Sequence, residues 1–129
     1  MPAFVFPDKP ETNVVIAARS VLLSQALHTF LQAIPGVTLA AAVSDLDELA
    51  QKLGSLPAQT TVLLDADVLA GCFVPGIVEL RSDFPYLSLV VLTNSLVQQE
   101  SALRNGANFA LLKGFLGLEL HEALTGVRK

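Results

Sequence analysis

Tryptophan is absent from this chain, and cysteine and tyrosine occur once each, as Cys72 and Tyr86. One cysteine closes no intrachain disulfide, so a reducing cytosol is the natural setting. Charge is scarce: Asp, Glu, Lys and Arg make up 16% of residues, against a usual level of about 25%. No apolar run reaches the roughly 18 residues needed to span a bilayer. The N-terminus has neither the basic flank nor the apolar core of a signal peptide, so a cytoplasmic location is expected and no membrane partner. Basic surplus is missing too. A net charge of −4 and a pI near 4.9 argue against direct binding of nucleic acid, whose phosphates are met by Lys and Arg.

What is present is apolar. Hydrophobic residues make up 52% of the 129 positions, which excludes a disordered chain and leaves room for one domain with one core. Low charge suits a sheet covered on both faces and also hints at a subunit contact, hence an expected homodimer through the last helix or its neighbours. Residues 1–12, with Pro2, Pro7 and Pro10, read as a lead-in, and residues 13–127 as the domain. Asn13 to Ala17 is a β-branched strand run. Ser20 can cap a helix carrying Leu22, Leu23, Ala26, Leu27, Phe30, Leu31 and Ile34, which Pro35-Gly36 stops. Val37 to Val43 is a second apolar run, followed by Ser44 and Asp45 as capping candidates. A helix through Leu46, Leu49 and Leu53 then ends at Gly54. Thr60 to Asp65 is a third strand. Pro75 can start the next helix, with Ile77, Leu80 and Phe84 inward. Leu87 to Leu92 is a fourth strand, followed by a helix to about Asn105 with Gly106 just past its end. Phe109 to Leu112 is a fifth strand, and Leu116, Leu120, Ala123, Leu124 and Val127 line a last amphipathic helix. Such alternation predicts an α/β fold: a doubly wound, five-stranded parallel sheet, flavodoxin-like in plan.

In such a sheet chemistry gathers outside the carboxyl ends of the strands. That rule selects Ala18 and Arg19, Asp65 and Asp67, Thr93, and Lys113. A carboxylate, a hydroxyl and an ammonium on one edge suit a phosphoryl group, accepted by the first and bound by the other two. Val62-Leu63-Leu64-Asp65, then Val90 to Thr93, then Gly106-Ala107 leading to Leu111-Leu112-Lys113, resemble the receiver domain of bacterial response regulators. The resemblance covers about residues 13–127. The closing Leu111-Leu112-Lys113-Gly114 running into Glu119 to Leu124 is most similar to the NarL/FixJ type.

That resemblance implies strand order 2-1-3-4-5, with Asp65 as phosphoacceptor and Thr93 and Lys113 supporting the phosphoryl site. It expects the three within a hydrogen bond or one water of each other. It also implies a sensor histidine kinase or another signalling protein as partner, no enzymatic turnover, and in many relatives a DNA-binding output domain. Whether the chain stands alone or is a fragment of such a protein stays open. The departures are specific. Two acidic residues that hold Mg²⁺ after the first strand are replaced by Ala18 and Arg19. No metal or other cofactor is therefore expected, because Mg²⁺ demands oxygen ligands. The aromatic switch residue three before the lysine is Ala110, with Phe109 one position early. These departures favour an atypical receiver, a pseudo-receiver that switches without phosphate. The alternative is a conventional receiver phosphorylated on Asp65.

Plainer readings stand beside these. Asp67 reads as a solvated loop carboxylate, and Cys72 as a structural or loop residue. Arg19 either pairs with Asp65 or faces solvent. His28 and His121 lack the Cys or carboxylate neighbours of a metal site. A flavodoxin-like small-molecule binder is a separate class. It lacks a Gly-rich phosphate loop, since Ala17-Ala18-Arg19-Ser20 follows the first strand, and a tryptophan-free chain offers little platform for a flavin.

Overall fold

A computed structural model describes residues 12–57, 59–113 and 123–124. The sheet contains β1 (Thr12–Ala17), β2 (Val37–Val43), β3 (Thr61–Asp65), β4 (Ser88–Thr93) and β5 (Phe109–Leu112). All pairings are parallel, in order β2-β1-β3-β4-β5. Between them run α1 (Val21–Gln32), α2 (Leu46–Leu53), α3 (Phe73–Asp83) and α4 (Leu96–Arg104), with a 3₁₀ turn at Ala66–Leu69. This is the doubly wound sheet expected from the alternation. Thr12, read as the end of the lead-in, instead opens β1; the rest of the lead-in and most of the last helix, His121 included, lie outside the described residues. Ala123 and Leu124 are described as helical and buried.

Side chains of a strand alternate between faces, and here they divide into two cores. Val15, Ala17, Val62, Leu64, Leu89, Val91 and Ala110 pack with Leu49, Leu53, Ile77, Leu80 and Ala102 of α2, α3 and α4. Val14, Ile16, Leu63, Val90, Leu92 and Leu111 pack with Leu27 and Leu31 of α1 and with Ala123 and Leu124. The central strands are buried on both sides, which is why their runs are unbroken. β2 differs: Val37, Leu39 and Ala41 are half-buried while Thr38, Ala40 and Ala42 are exposed, as its edge position requires.

Helix ends follow the capping residues. Ser20 accepts from Leu23 N, Asp45 from Glu48 N and Ser95 from Gln98 N. Two helix readings need correcting. Leu22 is 78% exposed and Ala26 is also exposed, because Leu22 sits five residues before Leu27, about 140° round the helix. α3 begins at Phe73 rather than Pro75; the first-turn N–H groups have no helical acceptor, so proline is tolerated there without being the start.

One clamp holds the amino ends of β4 and β5. Arg81 Nε and Nη2 donate to Gly106 O at 3.0 and 2.8 Å, while Nη1 donates to Leu87 O at 2.7 Å and Pro85 O at 3.1 Å. Nη2 also meets Asn108 Oδ1, which accepts from Leu89 N at 2.8 Å. Gly106 has φ +126°, and a Cβ there would lie 3.2 Å from Arg81 Cβ. Arg81 thereby ties the end of α3 to the loops entering β4 and β5. Arg81→Ala strips cationic donors from part-buried carbonyls and is expected to cost about 2–4 kcal/mol in urea unfolding. Arg81→Lys keeps the charge without the planar fork and should recover less than half of that loss.

Candidate functional site

Asp65 ends β3 and Lys113 follows β5, so the two emerge at the same carboxyl edge with β4 between them. The Lys113 ammonium spans that gap and stands 2.6 Å from Asp65 Oδ1. The Asp65 side chain is only 1% exposed and that of Lys113 is 23% exposed. Asp65 Oδ1 also accepts the Asp67 N–H at 3.0 Å, which opens the 3₁₀ turn. That turn carries Asp67 back over the edge. Its Oδ2 lies 3.2 Å from Lys113 Nζ, and its Oδ1 accepts from Asn94 Nδ2 at 3.0 Å. One ammonium therefore bridges two carboxylates, and Asn94 at the end of β4 ties the second in place.

The site residues are not all brought together. Asp65 and Lys113 meet directly. Thr93 is fully buried, but its hydroxyl donates to Leu111 O at 3.1 Å and bonds to neither of them. Arg19 is exposed and does not pair with Asp65, whose Oδ1 is met by Lys113 instead. It lines a cleft of about 380 Å³ with Ser44, Asp45 and Val68. Asp67 is exposed as expected, yet it is engaged by Lys113 and Asn94 rather than only solvated. Nothing beyond its place after Thr93 marks Asn94 in the sequence; its role depends on the turn that delivers Asp67. Cys72 is half-buried before α3 and makes no capping hydrogen bond.

Phe109 and Ala110 settle on opposite faces. Ala110 belongs to the core under α2, α3 and α4, and Phe109 packs against the α1 side. A shift of one residue in a strand moves a side chain to the other face. On the α4 side the contact is polar instead, with Gln99 Nε2 donating to Ala110 O at 2.7 Å.

Charge follows from this geometry. Burial alone would push the Lys113 ammonium down, but the hydrogen bond and charge of Asp65, then of Asp67, outweigh it and raise it above 10.5. The hydrogen bond from Asn94 and then that from Lys113 hold Asp67 below its ordinary 3.8, with a smaller contribution from the Arg19 charge. The Lys113 stabilisation is thus fully present below the ordinary lysine value and lost as pH rises through the raised one. Asp67 contributes above its ordinary value, and loses this as pH falls through the lowered one. Comparing melting temperatures of the native chain and Lys113→Met from neutral pH to about pH 11.5 should show the difference between them shrinking at the alkaline end.

A divalent cation fits this donor set poorly. Ala18 is buried and offers no ligand atom, Arg19 brings a cation, and both site carboxylates already hold Lys113. Among the described residues no three His, Cys, Asp or Glu side chains converge on one point. No described helix is long and apolar enough to cross a membrane.

No family model matches the chain, and no curated protein does. Solved structures do. The isolated receiver domain of RcsB from Salmonella enterica serovar Typhimurium, in its apo form, superposes with a TM-score of 0.79 at 24% identity, over 88% of this chain and 85% of that one. A LuxR-family DNA-binding response regulator from Staphylococcus aureus gives 0.75 at 19% identity, covering 89% and 97%. An RcsB chain from an assembly of two dimers on two parallel DNAs gives 0.78 at 23% identity; 88% of this chain is covered but only 58% of that longer one. The fold is that of response-regulator receiver domains.

Proposed function

We propose that this chain is a signalling receiver of atypical kind, a pseudo-receiver whose carboxyl-edge site is held by its own side chains. The observation that carries the reading is the Lys113 bridge, 2.6 Å to Asp65 and 3.2 Å to Asp67, beside Ala18 and Arg19 where an acidic pair would stand. Two cations and two carboxylates balance in charge without a metal ion. A phosphoryl group arriving at Asp65 would have to displace Lys113 from Asp67 and free the Thr93 hydroxyl from Leu111. Switching by protein binding avoids both costs. The partner class is a sensor histidine kinase or another signalling protein, and the output is a partner or an attached DNA-binding domain. Turnover is not part of this reading.

Incubation with acetyl phosphate and Mg²⁺, read by intact mass, tests it. Little or no addition is expected. Ready, Mg²⁺-dependent gain of one phosphoryl group, lost in Asp65→Ala, would establish the conventional receiver instead.

Self-association belongs to the same proposal. Val21 and Leu22 at the start of α1, and Leu96, Val97 and Leu103 on α4, are exposed apolar side chains. They support a homodimer, as RcsB forms. Sedimentation over a concentration series should show a monomer–dimer equilibrium, and a monomer throughout would count against it.

A further inference from the structure

At the amino edge of the sheet, opposite the charged site, lies a cleft of about 310 Å³. Leu53, Leu56 and Pro57 form one wall, and Phe84, Tyr86 and Leu87 the other. Among the described residues Asp83 is the one charged residue lining it. Tyr86 stands at its rim, 74% exposed. We propose that this cleft is the docking site of the chain's own Phe4-Val5-Phe6 segment.

Position, length and chemistry support that occupant. The 11 residues preceding the described structure join it at Thr12, at the same edge as the cleft. Val14 pairs with Thr61 and Thr61 with Ser88, so the cleft walls lie one to two strand spacings to the side, about 5–10 Å. Five residues, Pro7 to Glu11, reach up to about 17 Å when extended. Phe4 and Phe6, two apart, can present both rings to one side. Lys9 is the only basic residue of the segment and complements Asp83. The inference does not rest on the receiver reading.

Tyr86 makes a direct reporter, being the only tyrosine in a chain without tryptophan. Acrylamide quenching of its emission would be compared between the full chain and a full-length Phe4→Ser/Phe6→Ser variant. Covering one ring face removes about half its accessible area, so quenching should rise about twofold in the variant. Leu56→Glu, which spoils the opposite wall, should give the same rise while leaving the sequence of the segment intact. Equal quenching in all three proteins would overturn the proposal. So would shielding that grows with protein concentration in the Phe4→Ser/Phe6→Ser variant, because a second copy would then be the occupant.

Discussion

Lys113→Met is expected to lower stability by about 2–3 kcal/mol at neutral pH. Its cause is the carboxylate left behind. Asp65 is 1% exposed, and without the ammonium it keeps only the Asp67 N–H as a partner. Removing one member of a buried pair ordinarily costs more, about 3–5 kcal/mol, but the Lys113 side chain is 23% exposed and part of its attraction is screened. Asp65→Asn combined with Lys113→Met removes both charges and should restore more than half the loss. Urea unfolding of these three proteins and of Asp65→Asn alone gives the coupling energy directly. A single variant within about 0.5 kcal/mol of the native chain would mean that the bridge is a surface contact of little consequence.

The same site shows where sequence reasoning reached and where it stopped. Strand ends were legible because β3, β4 and β5 are short apolar runs closed by Asp65, Thr93 and Lys113, and parallel order then puts those positions on one edge. The facing of Phe109 was also open to inference, since period-two alternation places it opposite Ala110. Side-chain partners were not. Arg19 and Lys113 are both cations at strand ends, and strand order alone favours Arg19, because β1 lies beside β3 and β5 lies two strands away; only the side-chain geometry shows that Lys113 is the one that reaches Asp65. Asp67 and Asn94 meet through a 3₁₀ turn that no residue pattern announces. The Arg81 clamp is less visible still: its acceptors are mostly backbone carbonyls, up to 25 residues away for Gly106, and carbonyls leave no mark in a sequence. In α1 the apolar stripe was read too wide, and Leu22 lies outside it.

Rebuilding the acidic pair should produce the largest gain of function. Ala18→Asp with Arg19→Asp is expected to bind Mg²⁺ at least about tenfold more tightly than the native chain, for two additive reasons. Oxygen ligands are supplied next to Asp65, where a near-octahedral ion needs them. Local charge also changes: replacing Arg19 by a carboxylate shifts it by two units, and even with the screening of bulk water that is worth about 2 kcal/mol on a dication about 8 Å away. Position 18 is buried, so the new carboxylate should destabilise the metal-free variant until an ion compensates it. Mg²⁺ should therefore raise the melting temperature of the double variant in a saturable way and leave the native chain unchanged. Arg19→Asp alone, at an exposed position, should show the charge effect without the burial cost. The native chain binding Mg²⁺ as tightly as the double variant would show that Asp65 and Asp67 release Lys113 to the ion, and the pseudo-receiver reading would then fail at its first premise.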